Sequence, residues 1–227
     1  MNRLAYNEEK HRKNSNYFWL LVFFMSLLFF PIFSIFFKEY SELILRISAS
    51  VIILWGSYVV TYTKKELITA WFLAVLAVFG FWCEHTVFQP SEGVSIFRIF
   101  TGIIYFGYLG RRIILQLLEK NHRVNLNLLY GAVIVYFIIG IIGGQLCNLL
   151  DILEPGTFFR NAETNSYNYY YFSFVTLTAV GYGDFTPSNE AGRAMALLIG
   201  LFGQIYLAIA MAIIIGNYLN QGKDNPG

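Results

Sequence analysis

Charged side chains are scarce in this sequence. Lys, Arg, Asp and Glu together make up 13% of its 227 residues, whereas soluble domains carry roughly 25%. Hydrophobic residues reach 56%, aromatic residues reach 19%, and the mean hydropathy is +0.53. A chain of this composition has too few polar side chains to cover a water-facing surface, which excludes an ordinary soluble domain and a disordered segment. The sequence therefore predicts a membrane protein.

Cysteine, histidine and net charge are equally limited. The cysteines are Cys83 and Cys147, too few for a disulfide framework and without metal-ligand spacing. The net charge of +2 is too small to indicate a nucleic-acid partner. The three histidines are scattered, and neither a Ser-His-Asp constellation nor a phosphate-binding loop occurs, so we expect no enzyme activity and no cofactor. We expect two unpaired thiols, although a disulfide between them is geometrically conceivable.

Six apolar stretches are each long enough to cross a bilayer, which requires about 20 residues. They cover residues 17–37, 41–62, 67–88, 94–117, 128–150 and 190–219. The first is too long for the apolar part of a signal peptide and lacks a small-residue cleavage site, so we expect it to be retained. An aromatic stretch at 167–183 is too short to cross and return as two helices. We therefore predict an all-α membrane protein with six transmembrane helices and one re-entrant segment.

The distribution of Lys and Arg predicts the orientation of these helices. With the N-terminus inside, 11 of the 16 basic residues fall in cytoplasmic segments, as the positive-inside rule requires. A polar link separates the first four helices from the last two. The predicted organisation is a cytoplasmic N-terminus (1–16), a four-helix domain (17–118), the linker (119–127), a second domain (128–220) and a short cytoplasmic tail (221–227).

The segment with the most specific chemistry lies at the end of the aromatic stretch. Residues 178–184 read Thr-Ala-Val-Gly-Tyr-Gly-Asp, after a short helix predicted near 167–178. Irregular backbone at membrane depth is tolerated only where protein or a water-filled cavity surrounds it. Gly181 and Gly183 can adopt left-handed conformations that other residues resist. Alternating left- and right-handed residues direct successive carbonyls to one side, so this segment can present a row of oxygens to an axis.

This segment resembles the selectivity filter of the potassium channel family, whose usual pattern is Thr-Val-Gly-Tyr-Gly-Asp. Pro187, Gly192 and Arg193 also occupy positions where bacterial potassium channels commonly have the same residue types. Gly203 follows Gly181 by 22 residues, which is where the inner helix of the family carries a hinge glycine. The neighbourhood of the motif therefore supports the same family resemblance as the motif itself.

The resemblance covers about 128–220, and the six-span layout is similar to that of the larger six-helix channels. It implies a homotetramer around a central pore in a bacterial inner membrane, with lipid around it. Because only eight residues follow Leu219, we expect no cytoplasmic regulatory domain. The implied filter residues, of which the first four bind K⁺ through their backbone carbonyls, are Ala179, Val180, Gly181, Tyr182 and Gly183. The implied supporting residues are Thr178, Asp184 and Tyr171. The gating stimulus stays open, and a separate regulatory protein is one of its candidates.

Two glycines of the last helix have two interpretations. Gly203 and Gly200 are candidates for a gating hinge, which the resemblance implies for Gly203. Small residues also permit close helix packing in membranes. The sequence does not choose between these roles.

Two departures from the family pattern separate the candidate functions. Ala179 stands at the position of the filter threonine, so the innermost ion site loses its hydroxyl ligand. Tyr171 and Phe172 stand where many members have two tryptophans, and Phe172 has no hydrogen-bond donor to offer. We expect a K⁺-selective channel with a weakened inner site, and the alternative is a weakly selective monovalent cation channel. A secondary transporter is a reading from another class, and the lack of inverted halves counts against it.

The first four helices have the layout of a voltage-sensor domain without its charges. After Arg98 no charged residue follows until Arg111 and Arg112, a gap of 13 residues. Because steep voltage gating requires several charges in the field, we expect no steep voltage sensing.

Three charged residues fall toward the outer ends of spans two, three and four. Arg46, Glu84 and Arg98 are predicted to form a cluster there, since charges inside a membrane are usually paired. We interpret this cluster as a structural staple. The alternative interpretation makes Glu84 and the adjacent His85 an external proton sensor, because histidine titrates near neutral pH.

Overall fold

The computed structural model describes residues 17–36, 40–86, 91–118, 126–158 and 166–223. Within these ranges the chain is all-helical, which confirms the predicted class. The helices are α1 (Tyr17–Phe36), α2 (Ser41–Val60), α3 (Lys64–Thr86), α4 (Glu92–Leu117), α5 (Leu126–Leu153), α6 (Ser166–Leu177) and α7 (Glu190–Lys223). The predicted N-terminal segment 1–16 and most of the predicted linker lie outside the described residues.

Five of the described helices are long and apolar enough to cross a membrane. Their spanning segments are Leu43–Val60, Lys64–Cys83, Glu92–Leu117, Leu126–Leu153 and Glu190–Leu219. The last five predicted spans are therefore confirmed as helices of spanning length. Helix α1 has 20 residues, but its apolar stretch, Tyr17–Ile32, is shorter than the others. A sixth crossing by α1 stays a prediction.

The turn between α2 and α3 is closed by a capping box. The Glu66 amide donates to Thr63 Oγ1 at 3.3 Å, and Glu66 Oε2 accepts the Thr63 amide at 3.3 Å. This reciprocal pair satisfies two backbone donors that the first turn of a helix leaves without an intrahelical partner. The Thr-Lys-Lys-Glu sequence therefore fixes where α3 begins, and with it the tight reversal from α2.

The first four helices pack against α5 of the same chain. The ring of Phe24 in α1 lies 6.4 Å from that of Phe106 in α4 and 6.3 Å from that of Phe137 in α5. A Cβ placed on Gly110 would lie 3.3 Å from Ile138 Cγ2, so α4 and α5 are in close contact. One buried apolar cluster contains residues from all five helices. The four-helix domain thus shares a core with its own α5, a point that the sequence left open.

Candidate functional site

Helix α6 is too short to cross a membrane. Its 12 residues span about 18 Å at 1.5 Å per residue, against about 30 Å for the hydrocarbon core. It lies between α5 and α7, and irregular backbone follows it until α7 begins at Glu190. A half-length helix at this place agrees with the predicted re-entrant segment.

Three glycines of α5, Gly140, Gly143 and Gly144, form a seat for α6, which we call the glycine seat. A Cβ on Gly140 would lie 2.5 Å from Phe174 Cε1, and one on Gly143 would lie 2.4 Å from Ser173 Oγ. The Ser173 hydroxyl donates to the Gly140 carbonyl at 2.7 Å. This seat was not predicted from the sequence. Its signal was the Gly-x-x-Gly-Gly spacing, since small residues allow close approach of helices in membranes.

The C-terminal end of α6 is held by both neighbouring helices. The Tyr136 hydroxyl in α5 donates to the Leu177 carbonyl at 2.9 Å. In α7, a Cβ on Gly203 would lie 2.7 Å from the same carbonyl oxygen, whereas one on Gly200 would lie 4.0 Å from its nearest neighbours, atoms of Thr176. Gly203 therefore has a packing role, and α7 runs through both positions as one continuous helix. A hinge at either glycine stays a prediction.

The backbone after α6 alternates in hand. Ala179, Gly181 and Gly183 have φ values of 58°, 57° and 79°, and the residues between them have negative φ. Ala179 is the one non-glycine residue with positive φ in the described chain. For an alanine this conformation costs roughly 1–2 kcal/mol. Strained backbone of this kind persists where the surrounding structure imposes it, commonly at functional sites.

The amides of this segment point back to α6. The Val180 and Gly181 amides both donate to the Val175 carbonyl, at 3.0 and 3.4 Å, and the Ala179 amide donates to Thr176 at 3.1 Å. Within the part of the chain that the structure describes, the carbonyls of residues 179–182 accept no hydrogen bond. The segment is also open, with Val180 52% and Tyr182 73% exposed. Four consecutive carbonyls are thus available to an external ligand.

The predicted supporting residues lie beside this segment. The Tyr171 hydroxyl donates to Asp184 Oδ2 at 2.7 Å, so helix and segment are joined. This hydrogen bond raises the pKa of the Tyr171 phenol to about 12. The bond is therefore intact below the usual tyrosine pKa of about 10 and is lost as the pH rises through 12. The Thr178 hydroxyl instead donates to the Phe174 carbonyl at 2.7 Å, within the last turn of α6.

The predicted outer charge cluster is described in part. Arg98 is 7% exposed, and its Cα would lie 3.2 Å from a Cβ on Gly80, so α3 and α4 are close together there. Arg46 is half-buried in α2. The side chains of Glu84 and His85 lie outside the described residues, so the staple and the proton sensor both stay predictions.

The two cysteines and the two arginines near the C-terminal end of α4 need no functional explanation. Cys83 and Cys147 are both buried and free. Arg112 forms an ion pair with Glu66 at 2.7 Å, and Arg111 is exposed. The pair ties the C-terminal end of α4 to the first turn of α3, which is a structural role for Arg112.

These features define a helical membrane protein in which a half-length helix leads into an open row of carbonyls. Residues 126–219 match the model of a family described as "Ion channel". The chain is 26% identical over 105 residues to potassium voltage-gated channel subfamily A member 10 of Mus musculus, covering 46% of this chain and 20% of the relative. It is 28% identical over 105 residues to potassium voltage-gated channel subfamily A member 4 of Homo sapiens, covering 46% and 15%. No solved structure matches this chain.

The family match covers α5, α6 and α7, together with the carbonyl segment, and leaves α1–α4 outside it. The matched part of the chain spans a fifth or less of the length of these two relatives. The comparisons therefore support an ion-channel pore, similar to that of potassium channels, over the last three helices.

Proposed function

We propose that this chain is one subunit of a K⁺-selective channel, in which four copies place residues 179–183 around a common axis. The observation that carries the proposal is the row of carbonyls at 179–182, which accept no hydrogen bond within the described chain and follow residues of alternating hand. Ion-selective filters replace the hydration shell of K⁺ with such backbone oxygens. The names of the relatives, which are potassium channels, support K⁺ as the transported ion.

The need for several copies follows from the membrane. Unpaired carbonyls facing hydrocarbon cost several kcal/mol each, so irregular backbone must line protein or a water-filled cavity. Only 17% of the spanning segment of α7 is buried in the single chain, against 50% for α5. The exposed apolar side chains on α7 include Leu197, Leu201, Phe202, Ile205 and Ile209. Association of four copies covers part of this face and encloses the carbonyls.

The proposed mechanism uses the backbone alone. A K⁺ ion that enters the axis exchanges water for carbonyls of Val180, Gly181 and Tyr182, and repulsion between ions in adjacent sites moves them onward. The C-terminal end of α6 carries a partial negative charge and points toward the start of this segment, which favours a cation there. We place both termini in the cytoplasm, as the distribution of Lys and Arg predicts.

A weakly selective monovalent cation channel is the second candidate, and Ala179 favours it. Its methyl side chain has no oxygen, so the innermost site has one carbonyl per chain and no hydroxyl. Water would complete the coordination of an ion at this site. If the selection of K⁺ over Na⁺ depends on that innermost site, Na⁺ also passes through the channel.

Cation flux from liposomes that contain the purified protein tests both candidates. Gradients of K⁺, Rb⁺, Na⁺ and Li⁺ are compared at equal ionic strength. Flux of K⁺ and Rb⁺ without Na⁺ supports the proposal, and comparable flux of K⁺ and Na⁺ supports the second candidate. If protein that elutes as an intact assembly in K⁺ carries no ion at any of several applied voltages, both candidates are contradicted.

A pair of glycine variants ties the flux to the carbonyl segment. Gly181→Ala forces alanine into a left-handed conformation at φ 57°, so we expect K⁺ flux to be lost. Gly107→Ala in α4 is the matched control, since a Cβ at either position meets no atom of the described chain within 4 Å. Equal flux in the two variants would mean that the segment is not the conduction path.

A further inference from the structure

The carboxylate of Asp151, at the end of α5, accepts two hydrogen bonds from groups of the same chain. Its Oδ2 accepts the Tyr169 hydroxyl of α6 at 2.6 Å, and its Oδ1 accepts the Phe158 amide at 3.1 Å. Tyr169 is buried. An acidic residue near a predicted channel mouth suggests a role in concentrating cations, but a carboxylate that accepts two internal hydrogen bonds is placed to hold other groups.

The turn that follows α5 extends this connection to α7. The Thr157 carbonyl accepts the Ser188 amide at 2.7 Å, and Thr157 Oγ1 accepts Asn189 Nδ2 at 3.1 Å. Asn189 Oδ1 in turn accepts the Gly192 amide at 2.9 Å, which caps the start of α7. We call Asp151, Thr157, Phe158 and Tyr169 the Asp151 bracket. It joins the end of α5, the side of α6 and the beginning of α7.

The bracket contacts the face of α6 opposite the one that carries the Tyr171–Asp184 hydrogen bond. Tyr169 and Tyr171 are two residues apart, about 200° around a helix. Tyr171 reaches Asp184 on the side of the segment, while Tyr169 reaches Asp151 on the side of α5. The ring of Phe158 lies 5.3 Å from that of Phe172. Two tyrosine–carboxylate hydrogen bonds thus hold α6 from two sides.

The two tyrosine–carboxylate hydrogen bonds differ in how strongly water competes with them. In the single chain the Tyr171–Asp184 bond is exposed, whereas the Tyr169–Asp151 bond is partly buried and Tyr169 itself is buried. A partly buried hydrogen bond to a charged acceptor suffers less competition from solvent than an exposed one and is costlier to break. Because Phe172 has no hydrogen-bond donor for the segment, the position of α6 depends on its remaining polar contacts.

We propose that Asp151 and Tyr169 are positioning residues, which keep the carbonyl segment in its conducting conformation by fixing α6 from behind. This inference rests on the proposed function. When the bracket is broken, α6 can shift against the glycine seat, and the carbonyls of 179–182 lose their spacing. The result is a filter that stops conducting sooner and discriminates less between K⁺ and Na⁺.

The test compares four variants by single-channel and macroscopic recording in planar bilayers. Asp151→Asn is matched with Glu154→Gln, which removes an equal charge three residues away. Within the described chain the Glu154 carboxylate accepts no hydrogen bond. Tyr169→Phe is matched with Tyr170→Phe, whose hydroxyl likewise has no hydrogen bond in the described part of the chain. We expect Asp151→Asn and Tyr169→Phe to speed current decay about tenfold, as loss of a charge-assisted hydrogen bond predicts.

Two further readouts separate positioning from general loss of stability. The double variant should decay no faster than Asp151→Asn alone, since Tyr169→Phe removes only one of the two hydrogen bonds that Asp151 accepts. Raising external K⁺ at constant ionic strength should slow the decay, because ions in the filter hold the carbonyls apart. The decayed current should also recover fully when K⁺ is raised again, whereas current lost through unfolding of a subunit would not return on that timescale.

Each outcome decides the inference separately from the proposed function. Normal decay in Tyr169→Phe overturns it, even if Asp151→Asn fails to assemble, because the Asp151–Tyr169 bond is then dispensable. Equal effects of Asp151→Asn and Glu154→Gln also overturn it and assign the effect to surface charge. In both cases selective K⁺ current in the unmodified chain leaves the proposed function standing.

Discussion

The four-helix region α1–α4 and the region α5–α7 differ in how many of their polar groups find partners within a single chain. In the first, several buried polar side chains hydrogen-bond to neighbouring helices; for example, the Tyr105 hydroxyl of α4 donates to the Ile53 carbonyl of α2 at 2.5 Å. In the second, the carbonyl segment and most of α7 are exposed. Within the single chain, the polar groups of the first region are therefore more often paired than the carbonyls of the segment, which the proposed assembly of copies would enclose.

Several hydrogen bonds and an ion pair fix the C-terminal end of α4 within the four-helix region. Gln116 of α4 accepts hydrogen bonds from the hydroxyls of Tyr17 and Tyr62, and its amide donates to the Val60 carbonyl at 2.8 Å. Together with the Arg112–Glu66 ion pair, these contacts tie α4 to the other three helices. A shift of α4 by one turn, about 5.4 Å, would break all of them. The lack of a charge ladder and this fixation both argue against voltage-driven movement.

The largest effect is expected where α7 packs against the backbone at the end of α6. Gly203→Ala places a Cβ 2.7 Å from the Leu177 carbonyl, so backbone must move, at a cost of about 1–3 kcal/mol. We expect less intact assembly on size exclusion and a loss of K⁺ flux. Gly200→Ala is the control, since its Cβ has 4.0 Å of clearance. If Gly200→Ala impairs flux as much as Gly203→Ala, bending of α7 matters more than packing.

An intermediate effect is expected in the four-helix region. Gln116→Leu leaves the Val60 carbonyl and two tyrosine hydroxyls without their partner, at a cost of about 1–3 kcal/mol. We expect a melting temperature lower by several degrees in detergent, with unchanged K⁺ over Na⁺ selectivity, because the carbonyl segment proposed as the filter contacts other helices. Leu115→Ala, on the exposed side of the same turn, should change neither quantity. A loss of selectivity in Gln116→Leu would show that the two regions are not separable.

The smallest effect is expected for the voltage response. Arg112→Gln removes a partly exposed ion pair, worth at most about 1 kcal/mol for such pairs. The steepness of the current–voltage relation should stay the same, because Arg112 serves as an anchor for α3 and not as a gating charge. Arg111→Gln, at the exposed neighbouring position, provides the comparison. A several-fold loss of steepness confined to Arg112→Gln would contradict this assignment.

The helices were predictable from composition and length, since apolar stretches of spanning size leave few alternatives in a membrane. The stretch predicted at 128–150 is α5, Leu126–Leu153, and the short helix predicted near 167–178 is α6, Ser166–Leu177. The carbonyl segment was recognisable because glycine at alternate positions permits left-handed backbone. Left-handed Ala179 was not predictable, since alanine carries no such signal.

Side-chain partners were harder to predict, for a physical reason. Helices that are apolar on all sides give no polar face to indicate which neighbour they contact. The packing of α1–α4 on their own α5 therefore had no sequence signal. The contact of Asp151 with Tyr169 depends on the path of the chain between them, which residue types alone do not specify. The glycine seat was visible as a spacing but not as the site where α6 lies.

The shared core of α1–α5 has a consequence for the order of biogenesis. Its buried members all lie between Tyr17 and Ile138, so they are synthesised before the carbonyl segment and α7. Side chains of α6 and α7, including Phe174, Tyr206 and Ile214, add only a partly buried layer. A nascent chain can therefore bury most of this core before its last sixty or so residues are made.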